Sequence, residues 1–370
     1  MPTDNQHQLH KREKLLRAFI ENQIISSGPI SFSQWMDWAL NHPNLGYYSS
    51  HIHPIGSDGD FITAPELSPY LANCITQTIL SVHQEKPMTT LLELGAGTGQ
   101  WMADILINLD KKGLRPQYLI LETSAERRQE QQTMANTLPR AIAKNIEWID
   151  ELPKEPFQGV ILANEVIDAL PVERFMYKDK QFYRWMIDHT FNEYYSPWEP
   201  PKSMTNYLSR YCDTWPNAYQ SEYRSMTSAW INSLSRCINS GLILIVDYGY
   251  TGFEYYHPER SKGTLRCFHQ HQCHDNPLTH LGQQDITADV DFTNLAKAAT
   301  DANLTVTGYI SQAHYLINTG LLEQPNLDTS IVKTLLHPNQ MGERFKVMGL
   351  GKSLEAAPNG FEHMDQSHLL

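Results

Sequence analysis

The chain has 370 residues, 41% of them hydrophobic, and a formal net charge of −12. That length can bury a large core in two to three domains, and the acidic balance argues against nucleic acid as the main partner. No apolar run reaches the roughly 20 residues that a membrane-spanning helix needs, so no membrane span is expected.

The opening stretch, Met1 to Arg17, is polar and mixes acidic with basic residues, so neither a secretory signal nor a transit peptide is expected. Five cysteines (Cys74, Cys212, Cys237, Cys267, Cys273) form no CxxC pair. They suit reduced thiols, and a cytoplasmic location is the expectation. Leu9 to Ile25 carries apolar residues at helical spacing, and Gly28-Pro29 ends that helix. A short helix follows, with Ser33 as its expected N-cap and Trp35, Met36 and Leu40 on one face. The Gly-, Pro- and aromatic-rich stretch from Asn41 to Pro69 reads as an ordered covering loop.

From Thr89 the pattern changes to apolar runs alternating with helices. Residues 90–94, 118–121, 146–149, 160–163 and 242–246 read as five strands, and 305–309 and 345–350 as two that complete the sheet. Such runs indicate an α/β fold whose mostly parallel sheet is buried on both faces by helices. Residues 171–230 are too long for one crossover and read as a substrate-side insertion. The expected organisation is an N-terminal helical region with its loop (1–88), the sheet domain in two parts (89–170 and 231–352), the insertion between them, and a tail (353–370) that frays from Pro358.

Glu93-Leu-Gly95-Ala-Gly97-Thr-Gly99 sits between the first strand and an amphipathic helix. Glycines there turn the backbone sharply and let a ligand approach closely. The spacing is GxGxG rather than the GxGxxG of dinucleotide sites, and no P-loop Lys follows. It suits a ligand without phosphate, S-adenosyl-L-methionine. Glu122, at the end of the second strand, is positioned to accept from ribose hydroxyls; the alternative is a solvated carboxylate. After the fourth strand comes Asn164-Glu165-Val-Ile-Asp168-Ala-Leu-Pro171, two carboxylates and an amide at a central strand end. Capping a helix accounts for one of them. A class I methyltransferase with a Rossmann-like sheet follows, its cofactor site drawn from Glu93, Gly95, Gly97, Gly99, Glu122 and Asn164.

These motifs, with Gly59-Asp60-Phe61-Ile-Thr63-Ala-Pro65-Glu66, Gly46-Tyr47-Tyr48, Asp247-Tyr248-Gly249-Tyr250, Gly263-Thr264-Leu265-Arg266 and Gln284-Asp285-Ile-Thr287-Ala-Asp289-Val-Asp291-Phe292, resemble the MidA family over about Ile30 to Lys352. The resemblance implies a protein arginine methyltransferase; mitochondrial members symmetrically dimethylate an arginine on a core subunit of respiratory complex I. The implied partner is a protein substrate presenting an arginine, and a homodimer is allowed.

A guanidinium remains protonated in water and matches a carboxylate with paired donors. Glu165 is the first choice to orient it and Asp168 the second. Asp60 and Glu66 are candidates for closing over the site, or for loop hydrogen bonds alone. Tyr248 either lines the methyl-transfer channel or packs. Cys267, His269, His271 and Cys273 would share one face of an extended strand, but their spacing is not that of structural zinc. No metal is expected; His271, which the resemblance includes, reads as a polar contact in a substrate loop. The competing readings are a small-molecule methyltransferase with the same cofactor site and an assembly chaperone that lacks catalysis. A dehydrogenase is disfavoured by the glycine spacing.

Overall fold

The computed structural model describes residues 4–49 and 64–370. The chain divides into two compact units. The sheet unit takes its described residues from Ile62–Ile167, Ser228–Gly249 and Leu295–Leu370. The antiparallel unit takes its own from Met1–Phe61, Asp168–Thr227 and Tyr250–Asn294. The chain is thus grouped differently from its linear order.

In the sheet unit the strands are β1 (Thr90–Leu94), β2 (Gln117–Leu121), β3 (Ile146–Ile149), β4 (Phe157–Asn164), β5 (Ile238–Tyr250), β6 (Thr305–Ser311) and β7 (Phe345–Lys352). They lie in the order β6-β7-β5-β4-β1-β2-β3. Neighbours from β5 to β3 are parallel, whereas β7 runs antiparallel to both β5 and β6. All five residues of β1 are buried, as expected of a central strand sandwiched between helices.

Helices α1 (Tyr70–Glu85), α2 (Gln100–Lys111) and α3 (Ala125–Ala135) belong to this unit. The sequence pattern does not mark α1 as a helix. Its buried face is Leu71, Cys74, Ile75, Ile79 and Val82, but Thr76 and Thr78 interrupt the apolar pattern. Both are buried and satisfied: Thr76 donates to Ala72 O at 2.7 Å and Thr78 to Asn359 O at 2.8 Å.

The expectation of a frayed tail from Pro358 is overturned. Gly308 of β6 and Gly349 of β7 face each other across the strand pair, and Phe361 fills the space that their missing side chains leave. A Cβ on Gly308 would stand 2.2 Å from that ring, and one on Gly349 would stand 3.0 Å from it. Further on, Asp365 Oδ1 accepts from Tyr309 N at 2.8 Å and Gln366 N donates to Tyr309 O at 2.7 Å. The tail covers the edge strand's backbone, a common way to blunt a sheet edge.

The antiparallel unit begins with helices Asp4–Ser27 and Phe32–Asn41. The N-cap of the second is Ser31, whose hydroxyl accepts from Gln34 N at 3.3 Å, two residues before the expected Ser33. Strands Glu173–Lys178, Gln181–Ile187, Glu193–Trp198 and Tyr219–Tyr223 form an antiparallel sheet that also takes in Ile30–Ser31. Residues 171–230 are therefore tied to the N-terminal segment by backbone pairing. An aromatic core of Phe175, Tyr207, Tyr211, Trp215, Tyr219 and Tyr256 lies in this unit. The Cys267–Cys273 run is not one extended strand: Gln270 and His271 have φ of 50° and 60° and turn it into a hairpin. Cys267 is buried and Cys273 exposed.

Candidate active site

The strand order reverses between β1 and β4: from β1 the sheet continues through β2 to β3, and from β4 through β5. Open α/β sheets bind ligands at the carboxyl ends of strands flanking such a point. The predicted residues Gly95, Gly97, Gly99, Glu122, Asn164 and Glu165 all follow or end β1, β2 and β4.

Gly95, Gly97 and Gly99 have φ of 65°, 54° and 84°. Three left-handed residues in five turn β1 into α2, and only glycine adopts this region without steric cost. Gly99 also permits close packing: a Cβ there would lie 3.3 Å from Gln131 Cα in α3. Gly95 N donates to Leu121 O at 3.2 Å, which sets the turn beside the end of β2, where Glu122 follows.

Glu122 is half-buried. One carboxylate oxygen accepts from Ser124 N at 2.9 Å, the other from Gln131 Nε2 at 3.0 Å. Glu66, in the short helix Ala64–Leu67, accepts from the Thr98 hydroxyl at 2.6 Å, so this loop candidate is held on the glycine turn. Asp60 lies outside the described residues. Glu93 is 2% exposed and accepts from the Tyr118 hydroxyl at 2.8 Å. Its carboxylate is enclosed within the sheet rather than presented at a strand end. Burial pushes its pKa up to about 7; the Tyr118 hydrogen bond opposes the rise and nearby Glu122 adds to it.

At the end of β4, Asn164 Nδ2 donates to Glu165 Oε1 at 3.4 Å, while Asn164 Oδ1 is buried and accepts no hydrogen bond from the described residues. Glu165 has φ of 52°, an uncommon conformation for a residue with a side chain. It is held there by its N–H, which donates to Val246 O at 2.9 Å. Asp247, fully buried, accepts from Ile167 N and from Tyr248 N, each at 2.9 Å. The loop carrying Glu165 is thereby fixed to β5. Tyr248 packs edge-on against Phe345, with centroids 5.5 Å apart, and the Arg344 guanidinium lies 5.6 Å from its ring centroid.

Two candidates belong to the antiparallel unit. Asp168 is 4% exposed, and its carbonyl accepts from Arg224 Nη2 at 3.2 Å and Ala288 N at 3.1 Å. Its carboxylate acts on the Tyr48 phenol, whose pKa is raised by burial first and then by Asp285 and Asp168. His271 is an exposed residue of the hairpin turn. Sequence reasoning missed Asp247 as a site residue, because one acid after a strand carries no sign that it anchors the neighbouring loop.

Residues 70–310 match the model of a family of S-adenosyl-L-methionine-dependent methyltransferases. The chain belongs to the MidA family. Rattus norvegicus protein arginine methyltransferase NDUFAF7, mitochondrial, is 29% identical across 89% of this chain and 82% of its own length. The Danio rerio protein of the same name is 28% identical over 96% and 91%. A COG1565 superfamily member from Burkholderia thailandensis, bound to S-adenosyl-homocysteine, superposes with a TM-score of 0.92 at 29% identity. It covers 100% of this chain and 99% of its own.

This MidA member is an S-adenosylmethionine-dependent methyltransferase with the class I fold, and its strand-end residues fit that cofactor. Glu122 has carboxylate lone pairs for ribose hydroxyls, and the glycine turn keeps side chains away from the approach. The buried Asn164 Oδ1 is an acceptor in need of a donor, which the cofactor's ammonium group has.

Proposed function

We propose that the enzyme methylates an arginine side chain of a protein, and that Glu165 holds the target guanidinium. The relatives that align along most of the chain are named protein arginine methyltransferases. Within the site, the observation that carries the reading is Glu165 itself: a carboxylate on a left-handed backbone at the end of β4, beside the switch point. Strained residues of this kind persist where surrounding contacts over-determine them, and they cluster at functional sites.

The cofactor supplies the methyl group as an electrophilic sulfonium substituent. The chain's own residues must orient the acceptor and control its charge. A guanidinium is protonated at neutral pH, so its attacking nitrogen is a poor nucleophile until positive charge is drawn to the other nitrogens. A carboxylate paired with those nitrogens does both tasks: it fixes the plane of the group and stabilises charge there as the proton is lost to water. Asn164, donating to Glu165 Oε1, restrains that carboxylate. A core subunit of respiratory complex I is the first substrate to try.

The test is transfer of radiolabelled methyl groups into cell extract, with mass-spectrometric identification of the product. Label on arginine of a protein is expected. Label confined to small molecules, or to another residue type, overturns the proposal.

A further inference from the structure

We infer that Gln131 is a positioning residue that presets Glu122 for the cofactor's ribose and couples that contact to the glycine turn. The inference rests on the cofactor site described above. Gln131 lies in α3 and is 0% exposed. Its Nε2 donates to Gly97 O and to Glu122 Oε2, each at 3.0 Å, and its Oε1 accepts from Trp148 Nε1 at 3.0 Å. The amide has one orientation only. A carbonyl and a carboxylate accept, and an indole N–H only donates, so a flipped amide would set donor against donor and acceptor against acceptor.

These contacts span the site. Gly97 belongs to the turn that would receive the methionine part of the cofactor, and Glu122 is the residue assigned to its ribose. With Oε1 held by Ser124 N and Oε2 by Gln131, the carboxylate cannot rotate. Each oxygen keeps a lone-pair site for one ribose hydroxyl. A carboxylate fixed beforehand loses little conformational freedom on binding, so affinity rises without any new ligand contact. Trp148, in β3, locks the amide from the other side. Gly99 lets α3 pack close to the turn, since a Cβ there would lie 3.3 Å from Gln131 Cα.

Gln131→Met keeps the length of the side chain and removes the three hydrogen bonds. Calorimetry with S-adenosyl-homocysteine should show at least about a tenfold loss of affinity. Glu122→Ala should also lose affinity, and the double variant should be no weaker than Glu122→Ala alone. A second readout is the preference for S-adenosyl-homocysteine over its 2′-deoxyribose analogue, which should fall in Gln131→Met towards that of Glu122→Ala. A merely structural role would lower Tm and leave that preference intact.

If Gln131→Met does not fold, Trp148→Phe removes the indole donor together with part of the ring, leaves Gln131 in place, and should move affinity and preference in the same direction. Wild-type affinity in the folded Gln131→Met, or fully additive losses in the double variant, overturns the inference. Wild-type affinity in Glu122→Ala would instead overturn the ribose assignment.

Discussion

Glu165 occupies a backbone conformation that costs about 1–3 kcal/mol for residues with a side chain, and neighbouring contacts hold it there. The N–H bond to Val246 O and the Asp247 bridge to Ile167 are independent of the carboxylate. Glu165→Gln should therefore fold normally and bind S-adenosyl-homocysteine within about twofold of wild type. Methyl transfer to the identified substrate should fall at least about a hundredfold, because an orienting charge at the reacting group is lost. Full activity would remove Glu165 from the mechanism, and lost cofactor binding would move it to the other half of the site.

A second prediction concerns the pH dependence of Glu93. Its folded pKa of about 7 lies above the ordinary carboxyl value of 4.5. The unfolded chain therefore releases this proton earlier as pH rises, and stability falls between about pH 4.5 and 7, by roughly 3 kcal/mol in total. Glu93→Gln still accepts from the Tyr118 hydroxyl but has no charge to bury. Urea unfolding should find the variant more stable than wild type at pH 8, with the advantage vanishing near pH 4. An unchanged difference across that range would show that Glu93 does not carry the titration. Sequence alone showed the acid of the glycine motif but not its enclosure, which depends on Tyr118 from the adjacent strand. Gln131 was hidden for a related reason: among the polar residues of α3 it reads as one more solvated side chain.

Among the elements, the strands of the large sheet were legible because strands covered on both faces are continuous apolar runs. Helix α1 was not, since its buried threonines satisfy their hydroxyls on backbone carbonyls and so mimic a solvated pattern. The C-terminal segment misled for a different reason. It is polar, and its buried aromatic anchor, Phe361, fits only because Gly308 and Gly349 lie opposite each other in β6 and β7. That pairing links three places distant in sequence. Phe361 is 4% exposed, so Phe361→Ala should destabilise the protein by about 3–5 kcal/mol, the usual cost of emptying a buried aromatic site. Denaturant titration checks this, and a loss below about 1 kcal/mol would make the tail a loose cover after all.

At the scale of the molecule, the glycine turn, Glu122 and Asn164 were readable because each follows a strand end in the order that a switch point requires. The units themselves were not readable, because the antiparallel unit is gathered from three stretches separated by parts of the sheet. Cofactor binding bears on stability of the whole protein through mass action. A ligand that binds only the native state adds about 2.7 kcal/mol when present at a hundred times its Kd. S-adenosyl-homocysteine should accordingly raise Tm by several degrees. In Glu122→Ala, loss of the charge-assisted hydrogen bonds should weaken binding by about 1–3 kcal/mol. At the same ligand concentration roughly a third to nine-tenths of the rise in Tm should then disappear, with the ligand-free Tm lowered only by loss of the two hydrogen bonds that Glu122 accepts. Gly97→Val provides the contrast: a β-branched side chain at φ of 54° is strained in the turn itself, so both the ligand-free Tm and the ligand response should fall. Equal ligand-induced rises in wild type and Glu122→Ala would mean that the ribose is held elsewhere.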